Sequence, residues 1–192
     1  MNYYDKHFQL PAVKLLPGDF LAIANPLLMV TVLGSCVAAC LRDPGSGVCG
    51  MNHFMLPGLN ADADGHRAER FGVFAMEHLI TNMQKLGARR ERLQAKVFGG
   101  ARVLEGVQLA QVGDSNCRFV RAFLATEGIP IVAEDLYGDV ARKVYFFTDT
   151  GKVMIRRLRS ERLQRVEETE RQYRERMRQG GEGAGGSVEL FT

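Results

Sequence analysis

The tetrapeptide Asp43-Pro44-Gly45-Ser46 constrains this 192-residue chain more than any other feature. Proline presets one turn dihedral and glycine frees the next, so the chain reverses there. The flanking runs, VAACL from Val37 and VCGMNHFML from Val48, are apolar, and the reversal therefore predicts an antiparallel hairpin. A turn centred between Pro44 and Gly45 pairs residues whose numbers sum to 89. That register sets Cys36 opposite His53 and Cys40 opposite Cys49. Directly opposed residues have β-carbons about 4.5 to 5.5 Å apart, within reach of an imidazole for a thiol.

A thiol beside a suitable imidazole ionises near neutral pH, and the thiolate attacks a carboxamide carbon. Histidine takes the thiol proton, returns it to departing ammonia, and then activates the water that clears the acyl-enzyme. Cys36 and His53 are thus a candidate nucleophile and base for amide hydrolysis. Gly34 and Ser35 precede the cysteine, and the freedom of Gly34 lets backbone N–H groups near Ser35 and Cys36 face a developing oxyanion. Thr31 is the nearest upstream hydroxyl for holding the imidazole. Five residues from Cys36, it lies on the opposite face of a regular strand unless the chain bends at Gly34.

Other readings compete. A cysteine in an apolar run is ordinarily a packing residue, and Cys36, Cys40, Cys49 and His53 together have the inventory of a zinc site. Zinc fails on reach, because Cys36 and Cys40 are about 13 Å apart on an extended strand, far beyond two bonds of about 2.3 Å each. His7, His66 and His78 lie in a terminal segment, a polar loop and a helix, where surface or core placement is the simpler reading. Cys117 is read as a buried thiol at a helix start. Gly99-Gly100 lacks the Lys-Ser or Lys-Thr ending of a phosphate loop and reads as a tight turn.

The rest of the chain supplies a setting. Residues 13–16, 20–24, 27–33, 96–98, 109–112, 129–133 and 144–147 are strand-like, while 68–86 and 116–127 carry helical spacing, with Phe71, Phe74, Ala75, Leu79, Met83 and Leu86 as the first helix's stripe. Residues 60–67 read as a polar loop. The expected fold is a single-domain α/β sandwich of mixed β-sheet with helices, spanning residues 1–158. Residues 159–179 are a charge-laced extension, read as a solvated helix with a thin stripe of Leu158, Leu163, Val166, Tyr173 and Met177, and 180–192 are a Gly-rich flexible tail. No stretch approaches a membrane span and the first residues lack signal-peptide order, so a cytoplasmic location without membrane insertion is expected. The net charge of +3 is modest, and the Arg excess sits mainly after residue 155 rather than on a patch interleaved with aromatics, which argues against nucleic-acid binding. Four cysteines in a reducing cytosol are expected to be free thiols.

Thr31-Val-Leu-Gly-Ser-Cys36 followed by His53-Phe-Met-Leu-Pro57 resembles the chemoreceptor glutamine deamidase family, CheD. Lys96-Val-Phe-Gly-Gly-Ala101, Val112-Gly113 with Asn116, and Asp135 with Gly138 and Arg142 resemble later family blocks, so the likeness covers about residues 10–158. The chain departs from the family pattern at Tyr137-Gly138, where paired glycines are expected, and at Ser115, where an arginine is expected. The resemblance implies deamidation of glutamines on methyl-accepting chemotaxis receptors by a Cys, His and Thr set that maps onto Cys36, His53 and Thr31. No cofactor is implied, because nucleophile, base and water complete the cycle. It also implies a CheC-type phosphatase as a candidate partner, and with it a rival reading of the chain as a non-catalytic adaptor.

Overall fold

The computed structural model describes residues 1–56, 65–102, 107–158 and 163–179; residues 60–64 of the loop expected at 60–67, whose last three residues are instead helical, and the tail expected at 180–192 lie outside them. Along the described chain come β1 (Asn2–Asp5), β2 (Leu10–Lys14), β3 (Phe20–Ile23), β4 (Leu28–Leu33), β5 (Val37–Arg42), β6 (Cys49–Asn52) and α1 (Gly65–Lys85). After these follow β7 (Gln94–Gly99), α2 (Val107–Thr126), β8 (Ile131–Leu136), β9 (Arg142–Phe147), β10 (Val153–Arg157) and α3 (Leu163–Gln179). The strands form two five-stranded mixed sheets, ordered β1-β2-β4-β9-β10 and β3-β6-β5-β7-β8. Each has a single parallel pairing, β2 with β4 in the first and β7 with β8 in the second.

Side-chain alternation along β5 and β6 sorts the core into layers. Ala38, Cys40, Cys49 and Met51 face the first sheet and meet Met29, Leu33, Val144 and Phe146. Val37, Ala39 and Leu41 point the other way, into a cluster with Met76, Leu79, Ile80 and Met83 of α1 and Cys117, Val120 and Leu124 of α2. The order is sheet, sheet, helices, the α/β sandwich expected. β5 is buried on both faces, which is why its sequence is a continuous apolar run rather than an alternating one. Close approach of α1 requires Gly50, where an added Cβ would meet Leu79 at 2.7 Å.

Four further expectations are corrected. The hairpin register is Cys40↔Met51, Leu41↔Gly50 and Arg42↔Cys49, so paired numbers sum to 91 rather than 89. The turn runs two residues longer than expected: Asp43 N–H donates to Val48 O at 2.9 Å, and Gly47, at φ +77°, supplies the left-handed step. Asp43 accepts from the N–H of Gly45 at 2.8 Å and pairs with Arg92 at 2.7 Å, which pins the turn in this form. Cys40 therefore does not oppose Cys49, and all four cysteines are free and buried.

Residues 109–112, expected as a strand, belong to α2, whose buried positions Val112, Cys117, Val120 and Leu124 continue one helical stripe. A short apolar run does not by itself distinguish strand from helix. In α1 the buried stripe is Met76, Leu79, Ile80 and Met83, and Phe74 is instead exposed and stacked on His78 at 5.0 Å. Finally, α3 is not a solvated helix, for Val166, Glu170 and Tyr173 are buried against the fold.

Candidate active site

At Leu33 the chain leaves one sheet, and at Val37 it enters the other. The crossing is Gly34-Ser35-Cys36, and all three of its carbonyls are held from behind. Ala101 N–H donates to Gly34 O at 2.7 Å, Asn116 Nδ2 to Ser35 O at 2.8 Å, and Gly100 N–H to Cys36 O at 2.8 Å. With the carbonyls committed, the three N–H groups turn together to the opposite side of the loop. They converge on one carboxylate, that of Glu170 in α3: Gly34 N at 2.9 Å, Ser35 N at 3.0 Å and Cys36 N at 3.2 Å, with the Ser35 hydroxyl donating at 2.6 Å. Successive backbone donors arranged in this way form an anion-binding nest.

The clamp behind the loop explains Gly99-Gly100, which is more than a turn between strands. A Cβ on Gly99 would lie 2.1 Å from Cys36 O, and one on Gly100 would lie 2.0 Å from Cys117 Sγ. Both residues also have φ in the left-handed region, at +116° and +68°. Gly113 lets α2 close on the same point, its own Cβ position being 2.8 Å from Gly100 O. Asn116 completes the support, because its Oδ1 accepts from Leu56 N–H at 2.8 Å while its amide holds Ser35.

Tyr137, where the resemblance leads one to expect a glycine, has φ +66°. Its N–H donates to Gly99 O at 3.0 Å, its carbonyl accepts from Arg142 Nη2 at 2.5 Å, and Arg121 lies over its ring at 5.5 Å. These contacts hold a non-glycine residue in a disfavoured conformation. Ser115, the other departure, accepts from Arg118 at 3.2 Å on the surface of α2.

His53 follows β6 on the face that looks between the sheets. Its backbone is fixed at both ends, N–H to Asp19 O at 2.9 Å and C=O from Gly18 N–H at 2.7 Å. Nδ1 lies 2.7 Å from Thr31 Oγ1, and that hydroxyl donates to Leu15 O at 2.9 Å. A hydroxyl has one proton, so with that proton committed to Leu15 O the Nδ1–H must be the donor to Thr31. Nε2 then carries the lone pair, and it is buried without a hydrogen-bond partner among the described residues. Burial pulls the imidazole pKa down to about 3, which keeps the ring neutral.

The sequence reading is thus modified at Thr31 and at Cys36. Thr31 shares the inter-sheet face of β4 with Met29 and Leu33, because the Gly34-Ser35 bend passes the chain from one sheet to the other. Cys36 and His53 are not directly opposed. The Val37↔Phe54 bridge puts Met55 on the rung of Cys36, and His53 takes the diagonal position on the same face. A two-unit change in the register sum preserves side-chain parity, so the sequence identifies the face correctly and the rung incorrectly. Cys36 is fully buried, and its thiol pKa is held well above the ordinary value by burial, then by the charge of and hydrogen bond to Glu170.

Glu170 is the site residue that the sequence reading misses. Its signal is spacing: it falls four residues after Val166 and three before Tyr173, inside the apolar stripe of its helix. Among the described residues no group of three or more His, Cys, Asp or Glu side chains is arranged to hold a metal ion, and no helix is long and apolar enough to cross a membrane.

Residues 55–157 match the family model described as CheD chemotactic sensory transduction. Cys36 and His53 precede the matched segment, but relatives align across almost the whole chain. The probable chemoreceptor glutamine deamidase CheD 2 of Chromobacterium violaceum is 56% identical, covering 99% of this chain and 94% of that protein. Probable chemoreceptor glutamine deamidases from Laribacter hongkongensis and Shewanella oneidensis are 46% and 48% identical, each covering 99% of this chain and 92% of its relative. Among solved structures, a Neisseria meningitidis protein, NMB0706, is similar over 69% of this chain and 64% of that one, at 11% identity and a TM-score of 0.44. On the family match and these full-length identities, the chain belongs to the CheD family.

Proposed function

We propose that this chain hydrolyses glutamine side chains of chemotaxis receptors to glutamate and ammonia, with Cys36 as nucleophile, Nε2 of His53 as base and Thr31 as the residue that orients the imidazole. The observation that carries the assignment is the neutral His53 ring, whose Nδ1–H is committed to Thr31 and whose Nε2 is left unpartnered on the inter-sheet face that Cys36 shares. A neutral imidazole with a free lone pair accepts the thiol proton. The thiolate then adds to the amide carbon, and the negative charge that develops on oxygen matches the nest of Gly34, Ser35 and Cys36 N–H groups. Collapse expels ammonia with the proton from His53. Water, activated by the same nitrogen, cleaves the thioester and frees glutamate and the Cys36 thiol.

Residues 1–158 are the catalytic unit in this reading, 159–179 an extension and 180–192 a tail, and the enzyme works in the cytoplasm on the receptors' cytoplasmic helices. A CheC-type phosphatase is a further proposed partner, to be sought by co-purification. The decisive experiment is mass spectrometry of a receptor cytoplasmic fragment incubated with wild-type protein, Cys36→Ala and His53→Ala. Replacement of NH₂ by OH adds about 1 Da at each modified glutamine. Gain with wild type alone supports the assignment; gain with either variant removes that residue from its role.

A further inference from the structure

Val166, Glu170, Tyr173 and Met177 recur at helical spacing on the face of α3 that meets the fold. Glu170 lies in the middle of this otherwise apolar stripe and is 1% exposed. A carboxylate so placed needs dedicated donors, since an unpaired buried charge is strongly disfavoured. The nest of Gly34, Ser35 and Cys36 supplies them. On one side of Glu170, Val166 packs with Ala101 and Ala141. On the other, the Tyr173 ring lies on Gly18, where an added Cβ would come within 2.9 Å of it. α3 therefore spans the site from the clamp behind the cysteine to the turn whose N–H holds His53.

What lies in the nest has the chemistry of the reaction product, a glutamate side chain presented by an amphipathic helix. We propose that α3 occupies in cis the groove that receives the substrate helix, with Glu170 as a built-in copy of the product that keeps the enzyme closed until a receptor helix displaces it. The inference rests on the deamidase reading and adds to it a shape for the groove and a regulatory state. Three consequences of the contact all oppose turnover. The donors for the oxyanion are filled, the nucleophile is covered, and a negative charge stands beside a thiol that must become a thiolate. Removal of the helix lifts all three together.

The substitution Glu170→Gln converts the product copy into a substrate copy. The Cys36 thiolate would bond to the side-chain amide carbon of the introduced glutamine as its C–N bond breaks, ammonia would leave with the proton held by His53, and water would cleave the thioester to restore Glu170 and free Cys36. The test uses the full chain throughout. Intact-mass and peptide analysis of Glu170→Gln should find glutamate at position 170, about 1 Da heavier than encoded, whereas Glu170→Gln combined with Cys36→Ala should keep glutamine. In parallel, iodoacetamide labelling of Cys36 should be faster in Glu170→Ala and in Tyr173→Ala than in wild type by roughly tenfold or more, because hydrogen bonds to an ionised carboxylate are among the stronger ones.

Equal labelling in proteins with native circular dichroism would overturn the closed state. Faster labelling with the introduced glutamine left intact would overturn the product copy. Conversion of that glutamine with no modification of any receptor fragment would sustain Glu170 as a product copy and overturn its displacement by a receptor helix.

Discussion

Lowering the pH from 7 to 5 should destabilise the folded protein by about 2 kcal/mol through His53 alone. Burial between the sheets holds its pKa at about 3, against 6.5 for the exposed side chain. The nearby Lys14 charge acts in the same direction, and the carbonyl of Leu15 acts against it. As pH falls below 6.5 the unfolded chain takes up a proton that the folded chain refuses, so stability present above that value is lost progressively until the folded ring also protonates near 3. Each unit of that interval is worth about 1.4 kcal/mol, and roughly one and a half units lie between 6.5 and 5. Urea unfolding followed by circular dichroism at pH 7, 6 and 5 reads this directly. With a urea dependence of about 2 kcal/mol per molar, the midpoint should fall by roughly 1 M. His53→Gln should show a much smaller decline over the same interval, because the carboxylates held low in the fold, Asp5 and Asp43, contribute mainly below about pH 4. Parallel declines in wild type and variant would refute the neutral buried imidazole, and with it the assignment of Nε2 as a ready base.

Thr31→Val keeps the shape and removes the hydroxyl that fixes the His53 ring, so receptor deamidation should slow roughly tenfold to a hundredfold in kcat with little change in KM, and the pH profile of kcat should shift. Gly99→Ala introduces a Cβ that would lie 2.1 Å from Cys36 O at a φ of +116°; it should cost about 3 kcal/mol or more and be read as lost soluble protein or a collapsed thermal midpoint. Asn116→Ala strips partners from Ser35 O and Leu56 N–H at once. It should lower stability by about 1 to 3 kcal/mol and loosen the nest, measured by a melting curve and by faster alkylation of Cys36.

How far the site can be read from sequence depends on which residues carry it. Cys36 and His53 are legible because strand alternation is robust: misplacing the turn centre by one position moves the pairing by two residues and leaves both side chains on one face. Thr31 is not, because the rule that odd separations lie on opposite faces presumes one strand, and Gly34-Ser35 hands the chain to a second sheet. Gly99 and Gly100 can be recognised as a turn, but their need to lack a Cβ comes from a carbonyl of Cys36 and a thiol of Cys117 that only the tertiary fold brings near. Residues 109–112 fail for lack of length, since a four-residue segment with three apolar side chains fits either period. Glu170 fails for a different reason. Its charge argues for solvent, while its position between Val166 and Tyr173 argues for burial, and only a nest built more than a hundred residues earlier decides between them.

The chemistry of the nest also bears on how such an enzyme must choose its substrate. Under the proposed mechanism the nest stabilises an oxyanion, and such donors bind a carboxylate better than the neutral amide that precedes it, so affinity for product would be built into the same donors. A helix that carries a glutamate on the same chain, joined to β10 through only residues 158–162, offers that product at a high effective concentration. A glutamine entering from a receptor has no charge with which to compete for the nest. Its helix must therefore win on the flanking contacts, against the surfaces that Val166 and Tyr173 now cover, and specificity should reside there rather than at the glutamine itself. Receptor positions with apolar neighbours about one turn to either side of the glutamine should be modified first, and replacing those neighbours by charged residues should raise KM while leaving kcat nearly unchanged.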